Sequence, residues 1–270
     1  MKLVPNALVA LRRAPPLLLR NGLGAACIVV VLIGWFAATA GAPEERYVSP
    51  ALLPGPLEVL QSFPSLLADG ALLDAVIATL RRVVAGFLLS VIVGVPLGMA
   101  AGAWRAFASF LAPIVLVGRN IPVAALIPLT ILWFGIDETQ KVMFIFIATV
   151  PFVFSDAAAA VIEISDQYVD TAQTLGASDR QVVTKVLIPL ALPGVYTSLR
   201  SLFGIAFGYI MLAELINARY GLGYLLSVSQ RRGHTDHIFL VLIIIAVLAY
   251  AIDQLLGFFQ NGLFPYRREP

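Results

Sequence analysis

The chain has 270 residues, of which 60% are hydrophobic and 13% charged, and its formal net charge at pH 7 is +2. Water-soluble domains usually carry about 25% charged residues, so this composition excludes a soluble globular protein and predicts a membrane protein. The small net charge gives no indication of a nucleic-acid partner, and the single cysteine excludes an internal disulfide.

The apolar segments predict an all-α polytopic fold. They are long and continuous, whereas membrane barrels alternate polar and apolar residues with period two. A helix that crosses the hydrocarbon core needs about 20 mostly apolar residues. The sequence offers six such stretches, at 23–41, 76–102, 107–134, 141–161, 194–216 and 238–259.

The first stretch ends in AATAGA, which resembles a signal-peptide cleavage site. Its apolar run is longer than the 7–15 residues usual for a signal peptide, so we predict an uncleaved helix. With the N-terminus in the cytoplasm, ten Lys and Arg residues fall on the cytoplasmic side and seven on the outer side. This bias predicts cytoplasmic termini, a cytoplasmic segment at 1–22 and a transmembrane domain at 23–270, with a Pro-rich outer loop at 43–75.

The third stretch contains an Arg119-Asn120 pair among the prolines Pro113, Pro122 and Pro128. Each proline removes a helix hydrogen bond, and a broken helix within a membrane is tolerated where it is buried in protein or lines a cavity. We therefore predict that Arg119, Asn120 and Pro122 line a pathway.

An arginine near the middle of the membrane costs about 2.5–3.5 kcal/mol on insertion scales, so Arg119 needs a reason to be there. One hypothesis is that Arg119 attracts an anionic solute. The alternative is a structural role, in which Arg119 pairs with Glu214 or Asp156 or with backbone carbonyls. Glu214, near the end of the fifth stretch, is also predicted to support a gate or a contact between subunits.

A polar hairpin at 163–193 separates the fourth and fifth apolar stretches. Gly176 is typical of the left-handed residue that ends a helix, so the first arm should end there. Ser178 and Gln181 have the spacing of a capping box and predict the start of a second helix, which we expect Pro189 to close. The hairpin should therefore form a compact helix-turn-helix at the membrane surface.

The second arm of the hairpin has an apolar stripe that we interpret as a face offered to a cytoplasmic partner, since short amphipathic helices commonly dock into grooves. An ordinary connecting loop is an alternative, although about 30 structured residues exceed the usual length. A DNA-binding helix-turn-helix is disfavoured by the mixed charge and by the membrane tether at both ends. The stripe consists of Val182, Val183, Val186 and Leu187.

The hairpin resembles the EAA loop of ABC-importer permeases, whose pattern is roughly Glu-Ala-Ala-x-x-Leu-Gly-Ala-Ser, then a helix, Leu-Pro and a second Pro. Asp170 occupies the Glu position, Thr171 that of the first Ala and Ile188 that of the second Leu. In that family the loop is the coupling helix, which sits in a cleft of the cytoplasmic ATPase. The other positions match as they stand: Ala172, Leu175, Gly176, Ala177, Ser178, Pro189 and Pro193.

The resemblance extends over most of the chain. The segments LLPGPLEVL (52–60), RNIPVAALIPLTILWFGIDETQKV (119–142) and AELINARYGLGYLL (213–226) look like those of the nitrate/sulfonate/taurine subfamily. The implied structure is a type I ABC importer transmembrane fold, with six transmembrane helices per permease domain and a cytoplasmic coupling hairpin. The implied partners are a cytoplasmic ATPase dimer, a second and often identical permease, an extracytoplasmic solute-binding protein and the bilayer of a bacterial inner membrane.

The resemblance thus implies the permease subunit of an ATP-driven importer of a small anion such as nitrate, a sulfonate, taurine or bicarbonate. Other possibilities are a secondary transporter or channel, a membrane scaffold, or a same-family importer of a neutral or cationic heterocycle such as a vitamin precursor. The expected ATPase-coupling residues are Asp170, Ala172, Leu175, Gly176, Ala177, Ser178, Val182, Val183, Val186 and Pro189, and the expected pathway residues are Arg119, Asn120, Pro122 and Glu214.

We assign no catalytic residue, because the chain has no Gly-x-x-x-x-Gly-Lys-Ser/Thr phosphate-binding loop. ATP and Mg²⁺ should therefore be bound by the partner ATPase, and no cofactor is expected in this chain. The HTDH segment offers His234, Asp236 and His237 as metal ligands, but this spacing is weak evidence. We interpret the segment as an ordinary polar outer loop without a metal.

Overall fold

The computed structural model describes residues 16–42, 46, 48–68 and 71–265. Throughout these ranges the regular structure is helical, which confirms the all-α prediction. The proposed cytoplasmic segment at 1–22 falls largely outside the described residues, as do the basic residues Lys2, Arg12, Arg13, Arg267 and Arg268.

Twelve α-helices are described. Four of them are short connecting elements, namely α2 (Pro56–Gln61), α3 (Phe63–Ala68), α8 (Asp166–Thr174) and α9 (Asp179–Val182). The others are α1 (Leu17–Ala38), α4 (Ala71–Ala103), α5 (Arg105–Asn120), α6 (Leu126–Phe134), α7 (Glu138–Ile162), α10 (Ile188–Asn217), α11 (Leu222–Arg232) and α12 (Thr235–Leu263).

Five of these helices, counting α9 and α10 as one continuous span, are long and apolar enough to cross a membrane. The sixth span is the pair α5 and α6, which bend by 92° at a short break. Pro122 explains the break, because a proline disfavours helical geometry in the preceding residue, and Ile121 is accordingly extended (φ −68°, ψ 128°). The predicted break in the third stretch is confirmed, and the predicted count of six spans holds if this bent pair crosses the membrane as one span.

The core is built on the close packing of α4 against α7. Small residues recur along one face of α4, at Gly86, Ser90, Gly94 and Gly98, and let the two backbones approach. A Cβ atom on Gly94 would lie 2.8 Å from a side-chain carbon of Val153, so no larger residue fits there without displacement. The Ser90 and Thr149 hydroxyls, 2.7 Å apart, form a hydrogen bond within this interface.

Helix α1 lies at the periphery and is anchored at its C-terminal end. The indole N–H of Trp35 donates to the carbonyl of Pro54 at 2.9 Å, and its ring contacts Phe239. None of the residues in the apolar stretch of α1 is buried, so the helix exposes apolar side chains all around. Cys27 is one of these exposed residues.

Candidate functional site

The polar hairpin begins with α8 and turns at Gly176, as predicted. Gly176 has φ +85°, and its N–H donates to the carbonyl of Gln173 at 2.9 Å. The next N–H, of Ala177, donates to the carbonyl of Ala172 at 3.0 Å. These two bonds form a Schellman motif, so the turn has a single defined geometry.

The second arm starts at Ser178, whose backbone N–H donates to the side-chain oxygen of Gln181 at 2.9 Å. This bond is the half of a capping box that satisfies the N-cap amide, so the predicted pairing of Ser178 with Gln181 is confirmed. Asp179, in the first turn of α9, places negative charge at the positive end of the helix dipole.

The prediction that Pro189 closes the second arm is wrong, because one continuous helix runs from Asp179 to Ile216. Residues Val183–Leu187 form a π-helical turn that ends two residues before this proline. In an α-helix a proline lacks the donor N–H and its ring clashes with the carbonyl four residues earlier. The wider π turn accommodates that missing bond, so α9 continues into α10 and the hairpin is rigidly joined to the fifth span.

The orientation of the apolar stripe also differs from the sequence interpretation. Val182 is buried, with 3% of its surface exposed, and Val183, Val186 and Leu187 are half-buried. The stripe packs within the chain, since α9 and the π turn lie against α8 and Leu187 packs against a buried cluster that includes Ala157 and Val161 of α7. Val182 therefore does not offer its side chain to a partner.

The exposed apolar surface of the hairpin lies instead on the first arm and its turn. Leu175 is 83% exposed and Tyr168 is 56% exposed. Asp170 and Ser178 are exposed beside them, whereas Ala172 and Ala177 are half-buried. Sequence reasoning included Leu175 as a motif position and missed Tyr168, which precedes it by seven residues, two helical turns. That spacing was the signal that could have found it.

On the pathway side, Arg119 lies in the last turn of α5 with an exposed side chain. Its guanidinium carbon is 5.4 Å from the ring centroid of Phe152 on α7, within cation–π range. Arg119 forms no ion pair within 4 Å to Glu214 or Asp156 among the described residues, but it interacts electrostatically with Asp156 on α7. Asn120 donates to the carbonyl of Leu116 at 2.7 Å.

A groove of about 680 Å³ runs between α5 and α7 and includes Arg119 in its wall. Ser109 and Ser155 provide hydroxyl groups, and the rest of the lining is mostly apolar. The groove therefore combines one positive charge with a few hydrogen-bonding groups, a chemistry that suits a small anion. Pro122 lies at the break beyond Asn120, with its side chain exposed.

No described residue of α5 is buried, although the helix is largely apolar. Phe110, Ile114 and Leu116 expose between 66% and 74% of their surface. Leu116 lines the groove together with Arg119, whereas Phe110 and Ile114 lie outside it on another face of the same helix.

Glu214 lies in a buried charge cluster away from Arg119. Its side chain is fully buried and accepts from Nη1 of Arg82 at 2.7 Å. The Thr79 hydroxyl at 2.9 Å and the Gly223 N–H at 3.0 Å donate to the same carboxylate. Glu214 thus joins α4 to the end of α10 and the start of α11 within one subunit.

Arg82 is the centre of this cluster, and sequence reasoning missed it. Its side chain is 2% exposed, and its donors reach Glu138, Glu214 and the carbonyl of Tyr220. The neighbouring Arg81 is 72% exposed, and its guanidinium lies 3.6 Å from Glu138. Arg82 falls inside the predicted second span, and an arginine inside a span is a functional or structural candidate by default. That signal was available in the sequence.

The two histidines lie near the start of α12. Their rings stack with centroids 5.0 Å apart, and the Nε2 atom of His237 is 3.2 Å from the hydroxyl of Ser65. Asp236 is 3.8 Å from His237. No group of three or more His, Cys, Asp or Glu residues that could hold a metal occurs among residues 16–42, 46, 48–68 and 71–265.

Comparison with known proteins gives consistent matches. Residues 94–265 match the family described as binding-protein-dependent transport system inner membrane component. A probable ABC transporter permease of Brucella melitensis is 35% identical over 237 residues, 87% of this chain and 93% of that protein. The taurine transport system permease TauC of Escherichia coli is 32% identical over 246 residues, 89% of this chain and 88% of that protein.

The same fold occurs in a solved structure of the MetNI methionine ABC transporter in inward-facing conformations. The likeness has a TM-score of 0.63 and covers 75% of this chain and 98% of that chain, at 22% sequence identity.

Proposed function

Since the chain belongs to the family of binding-protein-dependent transport system inner membrane components, the permease subunits of ABC importers, we propose that it conducts a small anion across a bacterial inner membrane. The chain is not itself an enzyme, because in this family the ATPase is a separate subunit. In this proposal that ATPase binds ATP and Mg²⁺, and an extracytoplasmic binding protein delivers the solute.

The observation that supports the solute class is Arg119 in the groove between α5 and α7. Its guanidinium forms no ion pair within 4 Å among the described residues. Asp156 on α7 is close enough to interact with it electrostatically, but the guanidinium N–H donors remain open to a passing anion. A guanidinium binds sulfonate, nitrate or bicarbonate oxygens through paired N–H donors. The E. coli relative is named for taurine transport, and taurine carries a sulfonate.

Two copies of the chain would enclose the pathway. No described residue of α5 is buried in one subunit, and an exposed Arg119 is costly if it faces lipid, so a second copy would cover this helix. Arg119 would then line the seam between the copies, with Asn120 and Pro122 at the bend beside it.

The hairpin would couple this pathway to the ATPase on the cytoplasmic side. With six spans, both termini would lie on that side as well. Leu175 and Tyr168 form an exposed apolar pair on a turn of fixed geometry, and an apolar anchor in a groove is a common docking mode. Because the second arm is continuous with α10, a displacement of the docked turn would be transmitted directly to the fifth span.

Reconstitution tests the transport proposal. The permease, its ATPase and its binding protein are placed in liposomes, and uptake of labelled taurine and nitrate is measured with and without ATP. We expect ATP-dependent uptake of an anion that falls at least tenfold in Arg119→Gln. The control is Arg105→Gln, which removes an exposed charge from the other end of the same helix. Normal anion uptake by Arg119→Gln would overturn the anion proposal.

Copurification tests the coupling proposal separately. We expect Leu175→Asp to release the ATPase from the purified complex, because a charge replaces the apolar anchor. Leu52→Asp, at an outer-loop position that is 74% exposed, is the matched control and should retain the ATPase. ATP-independent uptake, or an ATPase that stays bound to Leu175→Asp, would favour a secondary transporter or a different docking surface.

A further inference from the structure

An apolar groove that does not include Arg119 lies between α4, α10 and α12. Its volume is about 510 Å³, and its lining exposes almost no polar surface. Along α4 it extends from Leu80 to Val91, which corresponds to about 16 Å of helix. One leaflet contributes about half of the roughly 30 Å hydrocarbon core, so the groove matches the depth of a single leaflet.

Two polar residues, Arg200 and Tyr196, lie at the end of this groove nearest the hairpin, with almost no polar surface turned into the groove itself. Arg200 on α10 forms a two-point ion pair with Asp253 on α12 there, and the hydroxyl of Tyr196 donates to the carbonyl of Leu256. Arg200 lies about 25 Å along α10 from its far end at Asn217, close to the thickness of the hydrocarbon core. A span that begins at Asn217 would therefore reach the opposite face of the hydrocarbon core near Arg200, on the hairpin side.

One nitrogen of the Arg200 guanidinium is not used in the ion pair with Asp253. The Asp253 carboxylate accepts from Nε and Nη2, whereas Nη1 has no hydrogen-bond partner within the described ranges. A Cβ atom on Gly257 would lie 2.8 Å from Nη1, so the glycine leaves room for the guanidinium beside α12. The Arg200 side chain is 29% exposed.

We propose that this groove binds one phospholipid of the hairpin-side leaflet, with an acyl chain along α4 and its phosphate on Nη1 of Arg200. The length of the groove, its apolar lining and the positive group at the interface end together fit a chain with an anionic head. Free inorganic phosphate would contact only Arg200 and would leave the apolar groove empty. The site would exist whatever solute the chain transports.

Native mass spectrometry of the detergent-purified complex tests the site by counting retained phospholipids per copy. We expect at least one in the wild type and at least fivefold lower occupancy in Arg200→Gln. Asp253→Asn removes the competing carboxylate and keeps the arginine, so it should retain as much lipid as the wild type or more. Equal loss in both variants would show that only the ion pair matters and would overturn the proposal.

Two further measurements separate the acyl chain from other occupants. Val84→Trp fills the groove and should lower lipid occupancy, whereas Ile92→Trp, at an exposed position of the same helix outside the groove, should not. Unchanged lipid occupancy in Val84→Trp would overturn the proposal. Displacement of the bound phospholipid by added inorganic phosphate alone would also overturn it, because the acyl chain would then contribute nothing to binding.

The exposed Cys27 of α1 tests whether a second copy occupies the groove instead. We expect no disulfide between Cys27 and a cysteine introduced at Leu88, which lines the groove. An intermolecular cross-link in Leu88→Cys would assign the groove to the α1 helix of the second copy and overturn the lipid site.

Discussion

The replacement Arg82→Leu should destabilise the protein far more than any surface charge change. The Arg82 and Glu214 side chains are 2% and 0% exposed, and removing the guanidinium leaves the Glu214 carboxylate buried with only neutral donors. It also leaves the carbonyl of Tyr220 without its Arg82 partner. Removing one member of a buried pair costs about 3–5 kcal/mol, because the remaining charge is uncompensated.

The assay is the free energy of unfolding of the purified chain in mixed micelles, measured by titration with a denaturing detergent. Arg81→Leu is the matched control, because Arg81 is the adjacent residue, 72% exposed, and 3.6 Å from Glu138. A surface ion pair of this kind is worth about 0–1 kcal/mol. The double variant Arg82→Leu with Glu214→Leu removes both charges and should lose less stability than Arg82→Leu alone.

Two results would refute the reasoning on this cluster. If Arg81→Leu and Arg82→Leu lose equal stability, burial does not set the cost. The second result concerns Arg82→Leu and Glu214→Leu measured singly. If their losses of stability add up in the double variant, the two charges do not interact, since coupled neighbours deviate from additivity by about 0.5–3 kcal/mol.

Three further predictions concern packing, pH and the hairpin turn. Gly94→Leu should cost at least about 1–3 kcal/mol by overpacking α4 against α7, measured by the same detergent titration. The pKa of Glu58 is held below its ordinary value by hydrogen bonds from Arg46 and from the Gly55 N–H. The ionised Glu58 carboxylate therefore stabilises the outer loop fully at a pH above its ordinary pKa. This stabilisation is lost as the pH falls through the lowered pKa of the folded state, and amide exchange over 48–58 would record the loss. Gly176→Val should destabilise the hairpin by about 1–2 kcal/mol, because φ is +85° there, and should weaken ATPase capture.

Each of these predictions has a control that the chain supplies. A leucine at Gly34, where a Cβ meets nothing within 4 Å, should cost far less than one at Gly94. Glu58→Gln should abolish the acid-dependent change in exchange, and a change that persists would assign it to another group. Gly34 does not have a positive φ, so Gly34→Val lacks the backbone strain expected for Gly176→Val. Equal destabilisation by the two substitutions would contradict the turn argument.

Local sequence rules predicted the helices and turns. They failed for contacts between side chains that are far apart in the sequence. The length of the apolar runs predicted six spans, and Pro122 predicted the break in the third, because both are properties of a short stretch of chain. The turn at Gly176 was predictable for the same reason. The periodicity of Val182 and its neighbours identified an apolar face correctly, but periodicity does not state what covers that face.

The remaining errors have similar physical causes. Pro189 reads as a helix stop because it lacks an N–H, yet a single π turn is enough to carry the helix past it. The pairing of Arg82 with Glu214 joins residues 132 positions apart, and nothing local to either residue specifies that contact. The burial of Arg82 could have been suspected from its place within a span, but its partners could not.

That sequence separation has a consequence for how the chain is made. Arg82 enters the membrane with the second span, whereas Glu214 is synthesised 132 residues later. Glu138, which also pairs with Arg82 in the folded structure, follows after 56 residues. At about 5–20 residues per second, the arginine waits roughly 3–11 s for Glu138 and roughly 7–26 s for Glu214. During biogenesis the second span must therefore stay beside water, lipid head groups or the translocation machinery until the first of these carboxylates arrives.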